Sequence, residues 1–211
     1  MKRIQMVKEF REQSKAAGTR KFASTPHLFC QIAQPEYGNY IAVPKTSSQR
    51  RKYLPMGFLD VEIIASDLIF LIPNAQIYHF GILMSNVHMA WMRLVAGRLK
   101  SDYRYSKDIV YNNFPWPTPT EAQKEKIERT AQAILDARAL YPESSLADLY
   151  DELTMPAELR KAHRANDRAV MEAYGFWGRL NSETACVAEL MKMYQRLAEK
   201  EKTVAKGGAA K

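Results

Sequence analysis

The chain has 211 residues, 46% of them apolar and 26% charged, which is enough to bury one sizeable core or two small ones and too apolar for a disordered chain. Two distant cysteines, Cys30 and Cys186, and an N-terminus that carries Lys2, Arg3, Lys8 and Glu9 with no apolar signal run, point to the cytoplasm and to reduced thiols. The most apolar region, 61–97, is interrupted by Asp67, Pro73, Asn74, His79 and His88, so a membrane span is excluded there.

In chain order, Ile4, Val7, Phe10 and Arg11 recur at helical spacing and predict a helix over 2–17 that Gly18 stops. Strand and turn signals follow. Gly38–Pro44 and Lys52–Leu59 are β-rich runs, and Glu62–Ile72 is a third that ends at the Pro73-Asn74 turn. From Tyr78 to Leu99 the density of Phe80, Leu83, Met84, Val87, Met89, Trp91, Leu94 and Val95 predicts one long buried helix. Residues 101–117 then read as a strand pair or loop that closes on Phe114-Pro115-Trp116-Pro117, a stiff hinge because proline fixes φ and lacks a donor.

After Trp116 the signals become helical. Thr118-Pro119-Thr120-Glu121 reads as a capping box with proline at the first helical position, opening a helix through Ile127, Ala131, Ile134 and Leu135 to Tyr141. Ser144 and Ser145 cap a short helix over 146–153, Pro156 opens another to Tyr174, and Asn181-Ser182 starts a fourth whose Val187, Leu190, Met191, Tyr194 and Leu197 form a packing face. The fold class predicted is α+β: a small, mixed, β-rich domain with a long buried helix over 1–117, an all-α domain over 118–201, and a disordered tail, 202–211.

The net charge of +8 is unevenly placed. Residues 1–117 hold sixteen Lys and Arg against eight Asp and Glu, whereas the rest of the chain holds fifteen of each. A cationic half favours a polyanion, since Lys and Arg displace the counterions condensed on a phosphate backbone. Two clusters concentrate that charge. Lys45-Thr46-Ser47-Ser48-Gln49-Arg50-Arg51-Lys52 sets hydroxyls, an amide and cations between two predicted strands, the chemistry that grips phosphates and reads base edges, unless it is only a solvated hairpin tip. The second cluster comprises Arg98, Lys100, Tyr103, Arg104, Tyr105 and Lys107, whose rings either stack on a ligand or pack on the long helix. Trp116 is read as packing, and Lys15, Arg20 and Lys21 add only electrostatic attraction.

Signatures of catalysis are missing from the sequence. It has no G-x-G-x-x-G, Walker loop, G-x-S-x-G or H-E-x-x-H. His27, His79, His88 and His163 have no zinc spacing with either cysteine, and Cys30 has no evident base, so no catalytic, cofactor-binding or metal residue is assigned and Cys30 is read as a small packed hydrophobe. Asp60 with Glu62, and Asp148 with Asp151 and Glu152, read as solvated faces.

The succession T-R-K-F-A-S-T-P, V-P-K-T-S-S-Q-R-R-K-Y-L-P-M-G-F-L, I-P-N-A-Q-I-Y-H-F-G-I-L-M-S-N-V-H-M-A-W-M-R, G-R-L-K-S-D-Y-R-Y-S-K-D-I-V-Y-N-N-F-P-W-P and L-R-K-A-H-R-A-N-D-R-A-V resembles the C-terminal part of class I S-adenosylmethionine-dependent DNA methyltransferases of the MmeI-like, type IIL restriction-modification group. The resemblance covers residues 2–200 and implies a target recognition domain up to the Phe-Pro-Trp-Pro exit, a C-terminal helical domain after it, and a methyltransferase core and nuclease upstream. It implies double-stranded DNA as partner, adenine N6 as the methylated atom, and S-adenosylmethionine as a cofactor of the core rather than of this chain. The family's cofactor loop and Asn-Pro-Pro-Tyr tetrapeptide do not occur here; Asn113-Phe114-Pro115-Trp116 lacks the first proline of the latter. The chain by itself is therefore expected to recognise DNA and catalyse nothing. Two rival readings are a complete enzyme of another type and a protein-docking specificity subunit that associates with a separate methyltransferase core.

Overall fold

Helices α1 (Lys2–Gln13) and α2 (Ala17–Arg20) open the chain in a computed structural model that describes residues 1–30 and 32–208. The single helix expected over 2–17 is broken because Ser14 is extended, at ψ 136°. Arginine fastens the break. Arg20 donates to the carbonyls of Ser14 and Lys15, and the Arg11 guanidinium donates to those of Phe22, Thr25 and Leu28, organising the chain that follows. Met1–Gln34 forms one unit by itself, and Cys30 is exposed in it rather than packed; a second unit begins at Pro35.

Among the described residues of the second unit, six short strands form two antiparallel sheets: β1 (Asn39–Pro44), β2 (Thr46–Ser47), β3 (Gly57–Asp60), β4 (Ile69–Pro73), β5 (Gly97–Leu99) and β6 (Asp102–Arg104). The first sheet has the order β3–β1–β4, with Ile41 opposite both Phe58 and Ile72; the second has the order β2–β6–β5. Of the runs expected at 52–59 and 62–72, only the C-terminal part of each forms a strand, since 52–56 and 62–68 belong to loops. Lys45 is the joint between the sheets. Its N–H donates to Leu68 O beside the first, and its carbonyl accepts from Tyr105 N beside the second.

The long helix expected from Tyr78 to Leu99 is two helices, α3 (Ile77–Leu83) and α4 (Asn86–Val95). Ser85 makes the break, because in an extended conformation its Oγ accepts from His88 N and donates to Ile82 O, so it caps the second helix instead of continuing the first. Beyond Ala96 the chain is strand β5, not helix. A π-helical turn, Lys107–Tyr111, follows β6, marked by the Asn112 N to Lys107 O bond.

Four further helices follow: α5 (Glu121–Ala139), α6 (Leu146–Leu149), α7 (Ala157–Ala173) and α8 (Glu183–Gly208). The capping box of α5 is Thr120 with Gln123, two residues later than the sequence suggests, so Pro119 lies outside the helix. Ser145 caps α6 through a reciprocal bond with Asp148, and Ser182 caps α8 by accepting from Ala185 N. Helix α8 continues through 202–208, part of the stretch 202–211 expected to be disordered; residues 209–211 lie outside the described residues.

One core runs through the second unit on both sides of residue 117. Phe80, Met89 and Trp91 share it with Ile127, Ile134, Val170 and Leu190. Gly81 is where α3 meets α5: a Cβ there would lie 2.7 Å from Ile127 Cγ2 and 3.0 Å from Ala131 Cβ. The Phe-Pro-Trp-Pro segment, expected as a hinge, is packed, with Phe114, Pro115 and Pro117 buried, Trp116 edge-on to Phe114, and Tyr174 donating to Pro115 O. Among the described residues no helix is long and apolar enough to cross a membrane, and no group of three His, Cys, Asp or Glu could hold a metal ion.

Candidate nucleic-acid interface

The two basic clusters, about fifty residues apart in sequence, meet on the second sheet. Strand β2 pairs with β6 so that Thr46 faces Arg104 and Ser47 faces Tyr103, and β5 pairs with β6 so that Gly97 faces Arg104 and Arg98 faces Tyr103. The turn after β2 is tied to the hairpin as well, because Gln49 N donates to Asp102 Oδ1.

Alternation along a strand sorts these residues onto two faces. Thr46, Arg104 and Gly97 share one face and all three are exposed. Gly97 adds no side chain next to Arg104, whose Cβ would be 3.9 Å from a Cβ on that glycine, so the guanidinium has open space around it. On the other face Ser47 is 4% and Tyr103 8% exposed. The Arg98 guanidinium lies 3.8 Å from the Tyr103 ring centroid, a cation–π contact, and donates to Ser101 O at 2.9 Å.

Ser47 and Tyr103, expected to contact DNA, therefore face inward and support the sheet. Their neighbours present the charge. Arg50, Lys52, Arg98, Lys100, Arg104 and Lys107 are exposed, Ser48 and Arg51 half-buried, and Lys45 is exposed with its Nζ donating to Asp67 O. Among the described residues no hydrogen bond or ion pair engages the side chains of Arg50, Arg51, Lys100, Arg104 or Lys107, in contrast with Arg11, Arg93 and Arg138. Lys100 sits at the hairpin tip with φ +56°, a left-handed conformation that a non-glycine residue adopts at some strain.

The second aromatic cluster divides in the same way. Tyr105 is buried, its hydroxyl 3.0 Å from His88 Nε2, and its ring stacks on Phe70. Phe114 is edge-on to His88, and Trp91 Nε1 donates to Val110 O within the π-helical turn. Burial pushes His88 down to about 3, so the imidazole stays neutral, and pushes the Tyr105 phenol up. The rings thus brace the sheet from beneath while the cations between them point into solvent.

Residues that fix this arrangement escaped the sequence reading. Arg93 lies within the apolar face of α4; its guanidinium is bidentate on Glu183, at 2.7 Å for both bonds, and also donates to Lys52 O at 3.2 Å. A lone cation in an apolar helical run was the available signal. Asp167, on α7, accepts from the Tyr53 hydroxyl at 2.6 Å and from Asn86 N at 2.7 Å. Burial raises its carboxyl to about 6 against the opposing effect of these two donors.

The family described as "MmeI, target recognition domain" matches residues 1–118, and "MmeI, C-terminal domain" matches 119–201. DNA methyltransferase A of Bacillus subtilis (strain 168) is 43% identical over 199 residues, which are 94% of this chain and 22% of that protein. A solved structure of the Type IIL restriction-modification enzyme MmeI in complex with DNA superposes with a TM-score of 0.88 at 49% identity, covering 93% of this chain and 26% of that one. The chain thus spans about a quarter of the length of these relatives.

Proposed function

We propose that this chain, which belongs to the MmeI family as a target recognition domain joined to a C-terminal domain, selects the duplex DNA sequence at which a methyltransferase core modifies adenine at N6. The core, in cis upstream or on a separate chain in the cytoplasm, supplies S-adenosylmethionine and the chemistry, and this chain supplies the address. Residues 1–117 are the recognition part and 118–201 the helical part that carries it.

The observation that supports this reading best is the convergence of both basic clusters on one sheet, with five cationic side chains that make no hydrogen bond or ion pair among the described residues. Such cations meet phosphates and fix register, and arginines among them can read base edges. In these terms Lys52, Lys100 and Lys107 are phosphate contacts, and Arg50, Arg51 and Arg104 are candidates for base reading.

The test is a titration of duplex DNA with the full chain across salt concentrations. Affinity falls steeply with salt, and each phosphate-contacting lysine replaced by alanine lowers the slope by about one. Binding that ignores salt, or none at low salt, rejects the reading in favour of a docking subunit.

A further inference from the structure

Strand β2 and Asp102 hold only the entry of the basic turn. Its exit, the run Lys52-Tyr53-Leu54-Pro55-Met56, is held chiefly from the helical part of the chain. Tyr53 is buried, stacks on His163 of α7 with ring centroids 4.0 Å apart, and donates to Asp167 one turn further along the same helix. Arg138 of α5 donates to Met56 O at 2.7 Å and to the Tyr150 hydroxyl, which in turn meets His163 Nε2 at 2.7 Å. Arg93, fixed by Glu183 of α8, donates to Lys52 O. Residues from α5 and α7, together with Arg93 of α4 braced by Glu183 of α8, therefore converge on five consecutive residues that follow directly on Arg50 and Arg51.

Stability does not explain this construction. Taking a carboxylate out of water is costly, and a well-packed apolar residue in its place is often as stable or more so, whereas a hydrogen-bonded charge admits one geometry and rejects its neighbours. Asn166, beside Asp167, does the same for the adjoining helix, since its Nδ2 donates to Gly81 O and its Oδ1 accepts from Thr130. His163, Asn166 and Asp167 occupy one buried face of α7, and together they determine where Tyr53, α3 and the start of α4 lie.

We infer that this face of α7 is a positioning element for DNA recognition: by seating Tyr53 on His163 and Asp167, the helical part sets the angle at which Arg50 and Arg51 meet the duplex. The inference rests on the DNA-reading function proposed above. Tyr53 and Asp167 touch no DNA themselves and act through the turn. Removing the Tyr53 hydroxyl leaves the ring on His163 and frees the turn to swing, so the arginines lose orientation while the fold stays.

The experiment is a double-mutant cycle on the full chain, with binding to the 30-base-pair duplex that the native chain selects from a randomised pool read by fluorescence anisotropy at fixed salt, well below the melting temperature of every variant. Arg50→Ala weakens binding about tenfold in the native background and less than about twofold once Tyr53→Phe is present, because the arginine is then no longer held in place. Asp167→Asn, which can still pair with Tyr53 and Asn86, keeps most of the native response, and Asp167→Ala does not. Equal losses from Arg50→Ala in both backgrounds would overturn the inference and leave the latch as ordinary packing. A native chain with no salt-dependent binding would sink the DNA reading and this inference with it, and that result is seen before any variant is made.

Discussion

The two sheets of the second unit are built on different terms. In β3–β1–β4 the central strand buries Tyr40, Ile41 and Val43 completely, and the register extends over four and five residue pairs. In β2–β6–β5 the strands are two or three residues long, two to three pairs hold each register, and Thr46, Gly97, Arg98 and Arg104 stand in solvent. Backbone pairing alone does not stabilise a sheet that small; three strands normally need a packed face. The second sheet obtains one from Tyr103 on its inward face and from the cluster of Tyr105, Phe70, Phe114 and Trp91, all part of or packed against the common core. The first sheet contributes stability, and the second is an exposed frame for cations that the rest of the unit keeps in place.

The sharpest way to break this comparison is to cut into the first sheet. Ile41→Ala removes a fully buried side chain from the central strand and is expected to cost about 3 kcal/mol in denaturant unfolding, while folded protein at low temperature keeps its DNA affinity and salt slope. A parallel loss of affinity at temperatures where the variant is fully folded would show that the sheets are not separable in this way.

Acid should act on the core with a comparable effect. His88 and His163 are held neutral with values near 3, below the ordinary 6.5, so the stability they contribute is present above 6.5 and is lost as pH falls, when the unfolded chain takes up the protons. Asp167, raised from 3.8 to about 6, works the other way between those values. Between pH 7 and pH 5 the two histidines cost about 2 kcal/mol each and Asp167 returns about 1, a net loss of about 3 kcal/mol. Urea unfolding at the two pH values measures it, and stability that is flat or rises on acidification contradicts the neutral, buried imidazoles.

Changes on the second sheet reverse the pattern. Arg104→Ala is expected to weaken duplex binding about tenfold and to change unfolding free energy by no more than about 0.5 kcal/mol, since its side chain is exposed and makes no hydrogen bond or ion pair among the described residues. A stability loss above 1 kcal/mol would mean that Arg104 belongs to the scaffold. The smallest effect is that of Lys100→Gly. Relief of the left-handed φ of +56° and the added chain entropy of glycine nearly cancel, so stability shifts by less than about 0.5 kcal/mol, and the salt slope falls by about one. An unchanged slope removes Lys100 from the phosphate contacts.

The same contrast separates what the sequence made legible from what it did not. Strand β1 and helices α5, α7 and α8 were legible because a strand buried across most of its length and helices of seventeen residues or more carry enough period to count. The second sheet was not, because two- and three-residue strands have no measurable alternation and their pairing joins residues about fifty positions apart. That is why Ser47 and Tyr103 were read as DNA contacts: composition places them in a basic cluster, but only the register shows that they point inward. The break at Ser85 was masked by apolar spacing that carries through it, although a serine directly before Asn86 is an ordinary capping signal. The basic turn was visible as a cluster of donors, but the residues that hold its exit were not, since Arg93, Arg138 and Asp167 are remote from it in sequence.

The core that continues past residue 117 limits how such a chain can be recombined. A crossover at that position between two diverged relatives would set one parent's Phe80 and Gly81 against the other's Ile127 and Ala131, where a single added carbon atom has no room. Each compensating change on α5 would then need its match on α3. The hairpin β5–β6 and the turn after β2 carry no such constraint on their exposed side, so residues there can be exchanged one at a time without repacking. Recombination at the apparent domain joint is thus the harder way to vary this chain without repacking its core, and point substitution on the small sheet the easier one.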